Sequence, residues 1–144
     1  MMSLATSFIN SFGRTIVGLD IFAVQVAPAP AEDFKDINLC GGIFSSTGNS
    51  SFRGKVYNSF IEWVTGDEQT LYKESIDSDS VKEIRNQLSL FFVENKDPEK
   101  AQNLLDDLHN RGIIDYSITV DEVCNLLKFF DVCVEKGYTL HGWW

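Results

Sequence analysis

Between Ser51 and Gly137, apolar residues recur at helical spacing in four separate segments, each closed by a helix-stopping signal. Phe52, Val56, Phe60 and Trp63 form the stripe of the first, Ser51 to Val64, and Gly66 is placed to cap its carboxyl end. Val81, Ile84, Leu88 and Phe91 line the second, where Ser80-Val81-Lys82-Glu83 has the form of a capping box. The third opens on Asp97-Pro98, an N-cap followed by proline in the first turn. It turns Ala101, Leu104, Leu105 and Leu108 inward and stops at Gly112. The fourth opens on Thr119-Val120-Asp121-Glu122, a second capping box. Val123, Leu126, Leu127, Phe130 and Val134 are its core face, and Gly137 ends it. Helices that are apolar on one side must bury that side against another layer.

The two ends of the chain supply that layer. Leu19 to Val26 alternates weakly and is rich in β-formers, and Pro28 and Pro30 end it, so the pattern predicts a strand. Tyr138 to Trp144 is short and aromatic and reads as a terminal strand. The simplest pairing sets residues 19–26 antiparallel to residues 138–143. The predicted architecture is α+β, with about four helices packed on a small antiparallel sheet. Residues 18–144 read as one globular domain, since 144 residues bury a core without staples. Residues 1–17 carry Leu4, Phe8, Ile9, Phe12 and Ile16 at helical spacing and read as an extension or a docked helix. Glu32 to Ser51 is a loop of about twenty residues, long enough to need a function or its own packing. Phe34, Ile37, Leu39, Ile43 and Phe44 are the side chains for that packing.

The formal net charge of −9 argues against nucleic acid, which needs a positive stripe. It suits a basic protein partner, and it equally serves solubility. No apolar run reaches membrane-spanning length. The first thirty-one residues hold only Arg14 and Asp20 as charges and end in Ala-Pro-Ala-Pro-Ala, which raises a secretory leader. The lack of a basic cluster at the start and the position of Asp20 argue against one. Of the three cysteines, Cys124 and Cys133 fall on one helix about 13 Å apart along its axis, too far for a disulfide. At least one thiol stays free, which favours a reducing, cytoplasmic setting.

Catalytic signatures fail one by one. Gly48 to Lys55 superficially resembles a phosphate loop, but five residues separate Gly48 from Gly54, and Val56 follows Lys55 where a hydroxyl is required. No helix carries paired histidines or Glu-x-x-His, and Asp77 and Asp79 look like capping residues rather than a calcium loop, so neither metal nor cofactor is expected. Cys40 and His141 are the most economical nucleophile and base, though nothing in the order of residues places them together. His109 is placed to meet the carbonyl end of its helix.

One oddity remains. Arg53 and Lys55 stand at a predicted helix start, where cations oppose the macrodipole. Either they hold an anion, with Ser50, Ser51 and Asn49 adding donors and Tyr57, Tyr72 and Trp143 shaping the walls, or Arg53 pairs internally with Asp20, Asp33 or Glu62. Trp143 and Trp144 on a strand point to opposite faces, one toward the core and one toward a pocket or interface.

The runs Ser51-Phe52-Arg53-Gly54-Lys55-Val56-Tyr57, Thr65-Gly66, Leu71-Tyr72, Phe129-Phe130-x-x-Cys133-x-Glu135-x-Gly137 and Gly142-Trp143-Trp144 together resemble a set of small, uncharacterised bacterial proteins, with Gly18-Leu19-Asp20-Ile21 similar to their opening. The resemblance spans residues 18 to 144 and assigns no activity and no site residue. The expected function is a non-catalytic, acidic protein-binding domain of inhibitor or immunity type. The alternatives are a small-anion or small-molecule site, catalytic or not, at the 41–55 loop and helix start, and a homo-oligomeric structural protein. Self-association would use the aromatic terminus or the Leu19–Val26 edge.

Overall fold

The computed structural model describes residues 18–24, 29–41 and 50–143. Expectations for residues 1–17, for residues 25–26, for Ile43, Phe44 and Asn49, and for Trp144 lie outside them. The described chain is α+β, with four helices and a four-stranded antiparallel sheet. Strand β1 is Asp20–Val24, and a single 3₁₀ turn follows at Ala31–Phe34. Strand β2, Ser51–Arg53, runs directly into helix α1, Gly54–Val64. Strand β3, Ser75–Ile76, precedes helix α2, Ser78–Glu94. Helices α3, Pro98–Asn110, and α4, Val120–Lys136, lead to the closing strand β4, Thr139–Trp143.

The sheet order is β2-β1-β4-β3. As predicted, the first and last strands pair antiparallel, from Asp20 opposite Trp143 to Val24 opposite Thr139. Two further strands were not predicted. β2 and β3 are too short to show a period of two, and only their neighbours reveal them. Their shortness has a use, because short edges offer little template for another chain. β1, Asp20–Val24, has a strand on each side, so among the described residues it is not an edge of the sheet, contrary to the self-association expected there.

Alternation gives the sheet two faces. Leu19, Ile21, Ala23, Phe52, Leu140 and Ile76 are buried with the helix stripes in one core. Asp20, Phe22, Val24, Thr139 and His141 are half-buried on the other side. Phe129 is the hub of the core, with ring centroids 4.7 Å from Phe34, 5.0 Å from Phe52 and 6.0 Å from Phe130. The sequence stripe for α4 named Phe130 and passed over Phe129, yet both are fully buried, because α4 packs against α2, α3 and the 3₁₀ turn. Phe34 enters the core from the long loop, as expected.

Two helix starts differ from expectation. The first helix begins at Gly54, three residues later than predicted, because Ser51–Arg53 pair with Asp20–Phe22 instead. Gly54 makes the turn from strand to helix where its N–H meets the Leu19 carbonyl at 2.6 Å. A Cβ there would lie 2.6 Å from Ile21 Cγ1, so only glycine fits without movement. The second helix begins at Ser78, capped by Asp77, whose Oδ1 accepts from the Ser80 N–H at 2.8 Å. Ser80 therefore falls inside the helix and its capping box does not form. Glu83 accepts from Gln87 instead. The Asp97 cap of α3 and the Thr119–Glu122 box of α4 form as predicted. Gly66, Gly112 and Gly137 all take left-handed φ beyond the helices they close.

Candidate functional site

The strand-to-helix junction separates the predicted site residues. Arg53 is the N-cap of α1 and Lys55 is in its first turn, with no acid in that turn and no capping side chain. The Arg53 Nε donates to Asp20 Oδ1 at 3.0 Å, so the cation is tied to the neighbouring strand. Asp20 was one of three expected partners, and Cα register explains the choice, since it sits directly opposite Arg53. On its other side Asp20 faces Trp143, so Arg53, Asp20 and Trp143 form one row across β2, β1 and β4. The junction and the terminal aromatic strand thus share one part of the sheet, with a carboxylate between them.

Ser50 and Ser51 are buried, and the Ser51 Oγ has no hydrogen-bond partner among the described residues. Tyr57 is fully buried. Its hydroxyl accepts from the Cys40 N–H at 2.9 Å and donates to Glu122 Oε2 at 2.7 Å. Burial, and then the Glu122 carboxylate, push the Tyr57 hydroxyl well above its ordinary pKa. The other oxygen of Glu122 closes the Thr119 box at 3.0 Å. Tyr57 is therefore a fastener between α1, α4 and the loop at Cys40, not a wall of an open site.

Lys55 and Tyr72 do come together. They line an open polar cleft of about 410 Å³ with Asp115 and Tyr116. Helix α1 builds it. Asn58 Oδ1 accepts from Leu71 N at 2.6 Å and from Thr70 Oγ1 at 3.2 Å, which clamps the loop carrying Tyr72. One residue on, Ser59 Oγ accepts from Asp115 N at 2.8 Å, which holds the second wall. Sequence reading missed Asn58, Ser59, Asp115 and Tyr116. A polar Asn-Ser pair inside an apolar helix was the available signal, because a buried amide needs partners.

Other candidates are dispersed. The Cys40 carbonyl accepts from Arg53 N on the outer side of β2, and the His141 ring on β4 lies tilted, 5.2 Å between centroids, against Phe22 of β1. Two strands therefore separate Cys40 from His141. His109 Nδ1 lies 3.3 Å from the Ile114 carbonyl, a loop group, rather than a carbonyl of its own helix. Gly112 turns the chain back under the histidine and brings Ile114 there. Cys40, Cys124 and Cys133 are all free thiols, and burial raises the pKa of Cys133. Among the described residues no group of three or more His, Cys, Asp or Glu side chains is arranged to hold a metal, and no helix is long and apolar enough to cross a membrane.

No protein-family model, curated protein or solved structure matches the chain.

Proposed function

We propose that this is a non-catalytic binding domain that engages a basic protein surface through uncompensated carboxylates. One observation carries the reading. The chain has 21 Asp and Glu against 12 Lys and Arg, yet three ion pairs are formed among the described residues. Asp67, Glu68, Glu74 and Asp77 between α1 and α2, and Asp79 in the first turn of α2, are exposed, with Lys73 as the cation of that segment. Asp97, Glu99, Asp106, Asp115 and Asp121 are exposed from α3 to the start of α4 and form no ion pair among the described residues, against the exposed cations Lys100 and Arg111, of which Arg111 is paired with Asp107. Such a field speeds encounter with a positive partner and repels acidic ones. The tie of Arg53 to Asp20 and the burial of Tyr57, Ser50 and Ser51 support the same reading, and the three free thiols support a reducing, cytoplasmic setting. The test is affinity capture from a host lysate, with the retained protein identified and its binding reconstituted. A basic partner is expected whose affinity falls steeply as salt rises from about 50 to about 200 mM. Retention of nothing salt-sensitive overturns the proposal.

A second reading rests on the cleft. Lys55 has no carboxylate within ion-pair distance among the described residues, and it faces the same opening as two tyrosines and Asp115. That set suits a small polar ligand with an anionic group. Loss of a ligand-induced thermal shift in Lys55→Met, with the fold intact, would favour it over the protein-binding reading.

A further inference from the structure

The last turns of α1 and α2 end side by side over a second concavity, of about 290 Å³, that the cleft and the acidic segments do not include. Its floor is aromatic. The half-buried Trp63 ring lies 6.0 Å from Phe60 and 6.5 Å from Phe91, which fix it from beneath. Leu90, 44% exposed, gives one wall, and Glu94 stands at the rim. Neither helix has a basic residue in its last turn, so the negative ends of two macrodipoles meet here with Lys96, just past the α2 cap, as the cation next in the chain.

The rim also offers open acceptors. Asn95 Nδ2 donates one N–H to the Phe91 carbonyl at 2.8 Å, and Gln87 Nε2 donates one to Glu83 Oε2 at 3.1 Å, which fixes both amides. Both amides keep their oxygens as unspent ends, and Glu94 forms no ion pair among the described residues. The site therefore combines an aromatic floor, an aliphatic wall and a rim of acceptors. That combination complements a planar cation with several donors and an apolar stem. Arginine meets it better than lysine, because the guanidinium stacks on an indole while its fork of N–H groups reaches a carboxylate.

We infer that this concavity is the anchor slot for an arginine side chain presented by the basic partner. The inference rests on the proposed function and adds the position and the residue type. The full chain is titrated with N-acetyl-arginine methylamide, with the isosteric citrulline compound as the neutral control, and followed by NMR. The Trp63 indole and Leu90 methyl signals are expected to move saturably with the arginine compound. Citrulline should bind about tenfold more weakly, and Glu94→Gln, an exposed change, should weaken arginine binding by about the same factor. Equal binding of citrulline overturns the slot, as do shifts confined to residues 67–79 or 97–121. A nona-arginine peptide in low salt separates the two levels. Binding of that peptide without movement at Trp63 removes the slot and leaves the basic-partner reading standing. No binding at all removes both.

Discussion

Arg53 shows how one side chain can look functional in sequence and be structural in the fold. Its side chain is 36% exposed, but the side chain of Asp20, whose carboxylate it holds, is only 13% exposed. Truncating Arg53 leaves that carboxylate poorly solvated and without its cation, which costs more than the pair itself contributes. Arg53→Ala is expected to lower stability by roughly 1–3 kcal/mol in urea melts, with Asp20→Asn restoring part of the loss in the double variant. An unchanged midpoint would mean that the pair contributes nothing, and would return Arg53 to the ligand-binding candidates. Lys55, two residues on, has the opposite character because the helix turns it away from the sheet and into a cleft.

At the level of elements, caps decide where helices start, and the acceptor that reaches the first free N–H wins. Asp77 lies one turn before Ser80 and takes its N–H, so the Ser80 to Glu83 motif is absorbed into α2. The Ser80 hydrogen bonds hold the Asp77 carboxyl below its ordinary pKa. Asp77→Ala should lower Tm by roughly 3–5 °C, whereas Glu83→Ala should stay within about 1 °C. The reverse ranking would show that the box forms after all. The junction at Gly54 is a second case. A strand stops and a helix starts within one residue because the backbone can approach Leu19 closely only where no Cβ intervenes.

Across the whole molecule, two tyrosines tie distant parts of the chain together. Tyr57 reaches Glu122, and Tyr138 donates to Asp33, joining the start of β4 to the 3₁₀ turn. The bond to Asp33 pushes the Tyr138 hydroxyl from its ordinary 10.0 up to about 12, and burial raises Tyr57 as well. A proton held more tightly in the folded state favours folding while the unfolded tyrosine is still protonated. This contribution is complete below the ordinary value and is lost as pH rises from 10.0 toward 12. Urea midpoints should therefore fall across that window, and Tyr138→Phe should flatten part of the fall. A wild-type midpoint that holds steady to the upper end of the window would contradict the linkage.

Helix stripes, two of the three clearest caps and the pairing of the chain ends were legible in order alone. Periodicity and capping are local, and they act within a few residues of one another. So was the internal alternative for Arg53, although its partner was one of three. Register then selected Asp20, and register is a property of strands thirty residues apart that no local pattern encodes. The edge strands β2 and β3, the hub role of Phe129, the Asn58 and Ser59 clamps and the slot beside Trp63 belong to the same class. Each depends on which surfaces meet when one-sided helices pack on one another and on one face of a sheet. The amino-acid order determined the pieces and their sidedness, because those follow from bonding and spacing along the chain. Only the tertiary structure decided which charges were neutralised and which were left facing water, because that depends on distances through space.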